Sequence, residues 1–168
     1  MATVNLLYSH TSDNVAPLAT ITVNTGTEDP AYPKANLVDS VPAKPGKLTT
    51  TTGSWVFNFG ALQRLDIVAL IHHNLTAGLE VRIQGNASDA WGAPTFNQQI
   101  TIPTYRDDGF PVNPWLDLTD KPAYTTSGFQ YWRIVIVGVN GAAVAIGEVL
   151  LLKLKRSLSP NISWGEQR

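Results

Sequence analysis

The chain has 168 residues, 43% of them hydrophobic and only 15% charged, with a formal net charge of −1 and no cysteine. The length suits one domain with a sizeable core, and the balanced charge leaves no basic excess to neutralise a phosphate backbone. The missing cysteine excludes disulfides, thiolate zinc sites and cysteine nucleophiles.

Charge this far below the roughly 25% usual in soluble domains leaves a surface poorly defended against association, so partners are expected to cover part of it. Residues 1–6 carry neither the positive region nor the apolar core of a secretory signal, and no apolar run approaches the roughly 20 residues that span a bilayer. The expectation is a chain made and left in the cytoplasm, with no nucleic-acid partner and no membrane insertion.

In chain order, period-two alternation dominates and helical periodicity is almost absent. Weak strands are expected at 3–9, 18–24 and 47–52. Between them, residues 25–46 contain Pro30, Pro33, Pro42 and Pro45 and resist regular structure. Trp55, Phe57 and Phe59 share one strand face, with Asn58 opposite. Residues 65–71 and 131–139 are apolar on both faces and rich in Ile and Val, which suits central strands covered on both sides. Residues 79–84, Leu-Glu-Val-Arg-Ile-Gln, alternate without an error, as a half-buried strand does. A weaker strand turns Phe96, Gln98, Ile100 and Ile102 one way.

Residues 103–130 hold four prolines and an Asp107-Asp108-Gly109 turn signal, and loops this long are usually functional. Asn140-Gly141 predicts a type I′ turn joining 131–139 to a long strand at 143–155, in which Gly147 marks a bulge or bend. The organisation expected is one domain over 1–156 and an extended tail over 157–168.

Catalytic chemistry finds little to use. His72 and His73 are neighbours, so in extended geometry they point to opposite faces and cannot share an ion. The plain reading is polar residues ending a central strand. Asp107-Asp108 and Asp117–Asp120 sit in turn-rich stretches where Asp is common, and no nucleophile elbow, phosphate loop or dinucleotide fingerprint occurs. The expectation is a protein that is not an enzyme. Aromatics are the more promising signal: Trp91, Tyr105, Phe110, Trp115 and Tyr124 crowd the stretch from 91 to 130. Three readings stay open for them, namely anchors of a protein interface, stacking platforms for sugar rings, or caps over the end of the core. In the tail, Ile162 and Trp164 have no local structure to hide in and are expected to dock on a neighbouring subunit.

Several segments in order carry a family pattern. They are Tyr-Pro-Lys-Ala-Asn-Leu-Val-Asp at 32–39, Ser-Trp-Val-Phe-Asn-Phe-Gly at 54–60, Leu-Asp-Ile-Val-Ala-Leu-Ile at 65–71, 81–91 ending in Trp91, Tyr-Trp-Arg-Ile at 131–134 and Ile-Gly-Glu-Val at 146–149. The series resembles the galactose-binding-like jelly roll of discoidin and coagulation-factor C-type domains. That resemblance implies an all-β, eight-stranded antiparallel sandwich with ligand loops at one end. It also implies a calcium ion in many members, which would map onto Asn36, Asp39 and Glu148. The usual Gly after the Asp is Ser40 here, and the family's nearby Thr ligand has no counterpart, so calcium is a weak expectation and no other cofactor is implied.

The phrase Leu-Ile-His-His-Asn-Leu at 70–75 and the closing run at 158–165 are similar to versions of this domain in tailed-bacteriophage tail and baseplate proteins. The leading expectation is therefore a structural virion protein, contacting other tail or baseplate subunits within a symmetric oligomeric assembly. The alternative is a carbohydrate-binding module that attaches a virion or enzyme to a cell-surface glycan.

Overall fold

A computed structural model describes residues 13–103 and 112–153. Nine strands stand among them: β1 (Thr20–Thr25), β2 (Gly46–Lys47), β3 (Gly53–Gln63), β4 (Ile67–His73), β5 (Glu80–Asn86), β6 (Phe96–Thr101), β7 (Trp115–Asp117), β8 (Phe129–Ile136) and β9 (Ala145–Leu152). They form a five-stranded sheet, ordered β1-β3-β8-β5-β6, and a four-stranded sheet, ordered β2-β9-β4-β7. Every pairing is antiparallel. This is the expected all-β sandwich. The expected strand at 3–9 and the tail at 157–168 lie outside the described residues.

Alternation builds the core. Trp55 and Phe57 of β3, Val81 and Ile83 of β5, Phe96 and Ile100 of β6, and Trp132 and Ile134 of β8 present their buried side chains to the second sheet. From that sheet come Val68 and Leu70 of β4 with Val149 and Leu151 of β9. Trp132 stands edge-on to Phe129 at 5.3 Å and to Phe96 at 5.6 Å, a favoured quadrupole arrangement, and its indole N–H donates to Gln63 O at 3.0 Å.

Three expectations need correction. Residues 131–139 are not covered on both sides: β8 is central in its sheet, but Tyr131, Arg133 and Val135 remain half-exposed on its outer face. By contrast, Ile67, Val68, Ala69 and Leu70 of β4 are all buried. The Asn140-Gly141 turn makes no hairpin, because β8 and β9 belong to different sheets. Neither residue takes a positive φ; the link crosses between sheets instead. Gly147 is no bulge either. The β4–β9 pairing runs from Ile67↔Leu152 to Ile71↔Glu148, skips His72 and Gly147 and resumes with the same offset at His73↔Ile146, and a side chain at 147 would strike Pro42 O and come 2.9 Å from His72 Cβ. Its smallness serves a close approach of loop and strand.

Antiparallel registers sort the connections by end. Segments 64–66, 87–95 and 118–128 gather at one end. At the other lie 26–52, 74–79, 137–144 and the flanks 102–103 and 112–114.

Candidate functional site

The second end carries a hollow. Pro42 and Pro45 of the long first connection, His72 and His73 closing β4, Asn74 beyond it and Ala145 opening β9 line a cleft of about 350 Å³. Its walls are laced by amides. Asn74 Nδ2 donates to Ala143 O at 2.7 Å, and its Oδ1 accepts the Ala145 N–H at 2.9 Å. Asn140, only 2% exposed, accepts the Thr76 N–H at Oδ1 at 2.9 Å and donates through Nδ2 to Ala142 O at 3.0 Å. A buried amide satisfied on both atoms fixes two loops against each other.

The histidines are held differently from the extended pair expected. His72 has φ +54, a left-handed backbone unusual for a side-chain-bearing residue. Its ring is on an exposed residue, while its N–H donates to Asn113 Oδ1 at 2.9 Å. His73 is 5% exposed, with Nδ1 receiving the Leu75 N–H at 3.0 Å and Nε2 lying 3.1 Å from Val112 O. Burial lowers its pKa from 6.5; the Val112 carbonyl opposes that shift, and the neighbouring His72 adds to it.

Asp39 and Glu148, implied as calcium ligands, are brought near one another beside this cleft. Glu148 is buried, and burial first, then the Asp39 charge, raises its pKa above 4.5. Asp39 Oδ1 already accepts the Val41 N–H at 2.9 Å, and Asn36 Nδ2 donates to Pro45 O at 3.2 Å. Among the described residues no group of three or more His, Cys, Asp or Glu could hold a metal ion. Calcium takes six to eight oxygens. Two carboxylates and one amide oxygen do not make that cage, so the residues present do not fit the ion.

Of the aromatics singled out between 91 and 130, Trp91, Trp115 and Tyr124 fall within the described residues. Trp91 lies at the opposite end, its indole N–H donating to Asp89 Oδ1 at 2.6 Å and its ring facing the Arg133 guanidinium at 4.5 Å. Arg133 in turn donates to Gln84 Oε1 and Asn24 Oδ1, so Trp91 belongs to a polar ladder over the five-stranded sheet. Tyr124 is also at that end, packed against the core with its hydroxyl donating to buried Asp66 at 2.7 Å; Arg64 binds the same carboxylate. Trp115 opens edge strand β7 and is 47% exposed. Tyr105, Phe110, Ile162 and Trp164 lie outside the described residues. Sequence reasoning passed over the Asn74–Asn140 lacing and the buried role of His73. The Asn-Gly signal at 140 was visible, but it pointed to a hairpin.

No protein-family profile matches the chain, and no curated protein sequence does. Solved structures do resemble it. A family 32 carbohydrate-binding module from C. perfringens NanJ, solved with galactose, superposes with TM-score 0.58 at 11% identity, over 83% of this chain and 97% of that one. Chitosan-binding module 1 from a Paenibacillus sp. IK-5 chitosanase/glucanase gives 0.58 at 19% identity, over 83% and 98%. The chain shares with these modules a jelly-roll β-sandwich fold. A Streptococcus pneumoniae fucose-binding module, SpX-3, matches it over 84% of this chain and 98% of its own, with TM-score 0.58 and 15% identity. Against the larger SpGH29 the chain spans 28% of the length, with TM-score 0.58 and 13% identity. Identities this low establish the jelly-roll fold alone.

Proposed function

We propose that this jelly roll is a carbohydrate-binding module whose ligand enters the cleft between His72, Asn74 and Pro42. The observation that carries the reading is the cleft itself. A concave hollow at the loop end of the sandwich presents an exposed imidazole on a left-handed backbone beside amides already locked in place. Strained backbone persists where its surroundings hold it and clusters at binding sites. Pre-positioned polar groups over aliphatic walls suit a ligand that has both hydroxyls and an apolar ring face. Solved modules of this fold that match nearly their whole length are described as binding galactose, chitosan and fucose, which supports the same class here.

This reverses the order of the two readings drawn from sequence. The virion-assembly reading leans on 158–165, outside the described residues, and on 70–75, which here forms the end of β4 and the wall of the cleft. Glycan attachment remains compatible with a virion setting, which genes neighbouring this one would reveal.

The test is titration of the full chain with galactose, fucose and chitosan oligosaccharides by calorimetry. Binding of at least one is expected, with H72A weakening it by about tenfold, the loss of one hydrogen bond of about 1.4 kcal/mol. Filling the hollow with A145W should abolish it. A folded chain that binds none of the three, or binds equally well after A145W, overturns the reading.

A further inference from the structure

Three successive bonds zip the end of β4 to segment 112–114: Leu70 N–H to Pro114 O at 3.0 Å, His72 N–H to Asn113 Oδ1 at 2.9 Å, and the His73 ring to Val112 O at 3.1 Å. Only the last involves a group that titrates. The ring also has its tautomer dictated by what it faces. Nδ1 meets the Leu75 N–H, a donor, so it must accept; the proton therefore sits on Nε2 and points at the Val112 carbonyl. Both ring nitrogens are used only while the imidazole is neutral.

We infer that His73 is a pH-sensitive latch on the cleft, closing it as the neutral ring and loosening the Asn74 wall when Nδ1 takes a proton. A proton at Nδ1 turns two donors against each other, breaking the Leu75 bond and placing a charge in a site that is 5% exposed. Asn74 lies between His73 and Leu75 and forms part of the cleft wall, so loosening the 73–75 turn moves the amide that lines the hollow. Of the titratable or charged groups on surrounding elements, His72 adjoins the ring on its own strand, Glu148 lies on β9, and Asp39 and Lys44 lie on the proline-rich connection. His72 acts on the ring with like sign, favouring the neutral form; segment 112–114 brings no charge. The latch rests on the proposed cleft for its functional meaning, but its chemistry is local to the ring.

The experiment follows the His73 ring nitrogens and the Leu75 amide of the full isotope-labelled chain by NMR from pH 8 to about pH 4.5, the range around an ordinary imidazole pKa. Nε2-protonated imidazole at neutral pH, titration below 6.5, and a fall of about tenfold or more in Leu75 protection in step with the titration support the latch. A ring protonated on Nδ1 at neutral pH, or Leu75 protection constant through the titration, overturns it. Binding of galactose, fucose and chitosan oligosaccharide is measured at both ends of the range. A sugar held at neutral pH should be released in acid by wild type in step with the ring titration, whereas H73Q, which cannot titrate, should lose much less of whatever affinity it has at neutral pH. Retention in acid by wild type overturns the coupling. If no sugar binds at either pH, the proposed function falls while the NMR titration still decides the latch; it also decides if H73Q fails to fold.

Discussion

Ser40 and His72 show what single residues contribute here. Ser40 has φ +60, in the left-handed region where a Cβ costs roughly 1–2 kcal/mol. The resemblance expects Gly at this position, and the observed angle supplies the reason. S40G should raise unfolding stability by about 1 kcal/mol in urea titrations, with the flexibility it adds to the unfolded chain taking back part of the gain. An unchanged or lowered midpoint would show that the Ser40 angle carries no strain. His72, at φ +54, holds a similar angle beside the cleft, where strain has a use in directing the ring outward. Neither angle is written in the local sequence, since Asp-Ser-Val and Ile-His-His carry no positive-φ signal of the kind Asn-Gly does.

Among the elements, β3 and β8 hold the five-stranded sheet together. Their register runs from Gly53↔Ile136 to Asn58↔Tyr131, then shifts before Gln63↔Phe129. Gly128 stands at that shift with φ +73, against Gln63 O. G128A should therefore cost more than the roughly 1–2 kcal/mol of the backbone angle alone, because the methyl also meets backbone that cannot move aside. Chemical denaturation checks this, and a loss under about 0.5 kcal/mol, the range of an ordinary surface change, would mean the register shift is soft. The strands themselves were legible. Expected 79–84 became β5, 96–102 became β6, and 65–71 became β4, offset by two residues, because alternation is a local property. Sheet membership was not legible: 131–139 and 143–155 read as hairpin partners, yet their strands face each other across the core.

At the scale of the whole molecule, two groups near the cleft contribute to the pH dependence of stability with opposite sign. Glu148 has a raised pKa in the fold, so its contribution is fully present below 4.5 and is lost as pH rises through the folded value. His73 has a lowered pKa, so its contribution is present above 6.5 and is lost as pH falls through the folded value. Removing the Glu148 charge separates them. E148Q should melt at a higher temperature than wild type at neutral pH, and the gap should close toward pH 4, near the ordinary carboxyl pKa. A gap that stays constant, or wild type melting higher at neutral pH, would mean that the carboxylate is compensated in the fold. Added calcium provides a second reading of the same residue: the present side chains predict no rise in melting temperature on adding it.

Composition and alternation by themselves determined that the chain is all-β, that Trp55 shares a face with Phe57 and Phe96 with Ile100, and that thiol chemistry is absent. Those properties depend on each residue and its next-but-one neighbour. Tertiary structure alone decided that Trp91 and Tyr124 stand away from the cleft, that Asn140 laces two loops instead of turning a hairpin, and that His73 is buried between Leu75 and Val112. Each of these is set by segments tens of residues apart meeting across an end of the sandwich. Side-chain period carries no information about which distant strand a given strand will pair with, and it is that pairing which shapes the cleft.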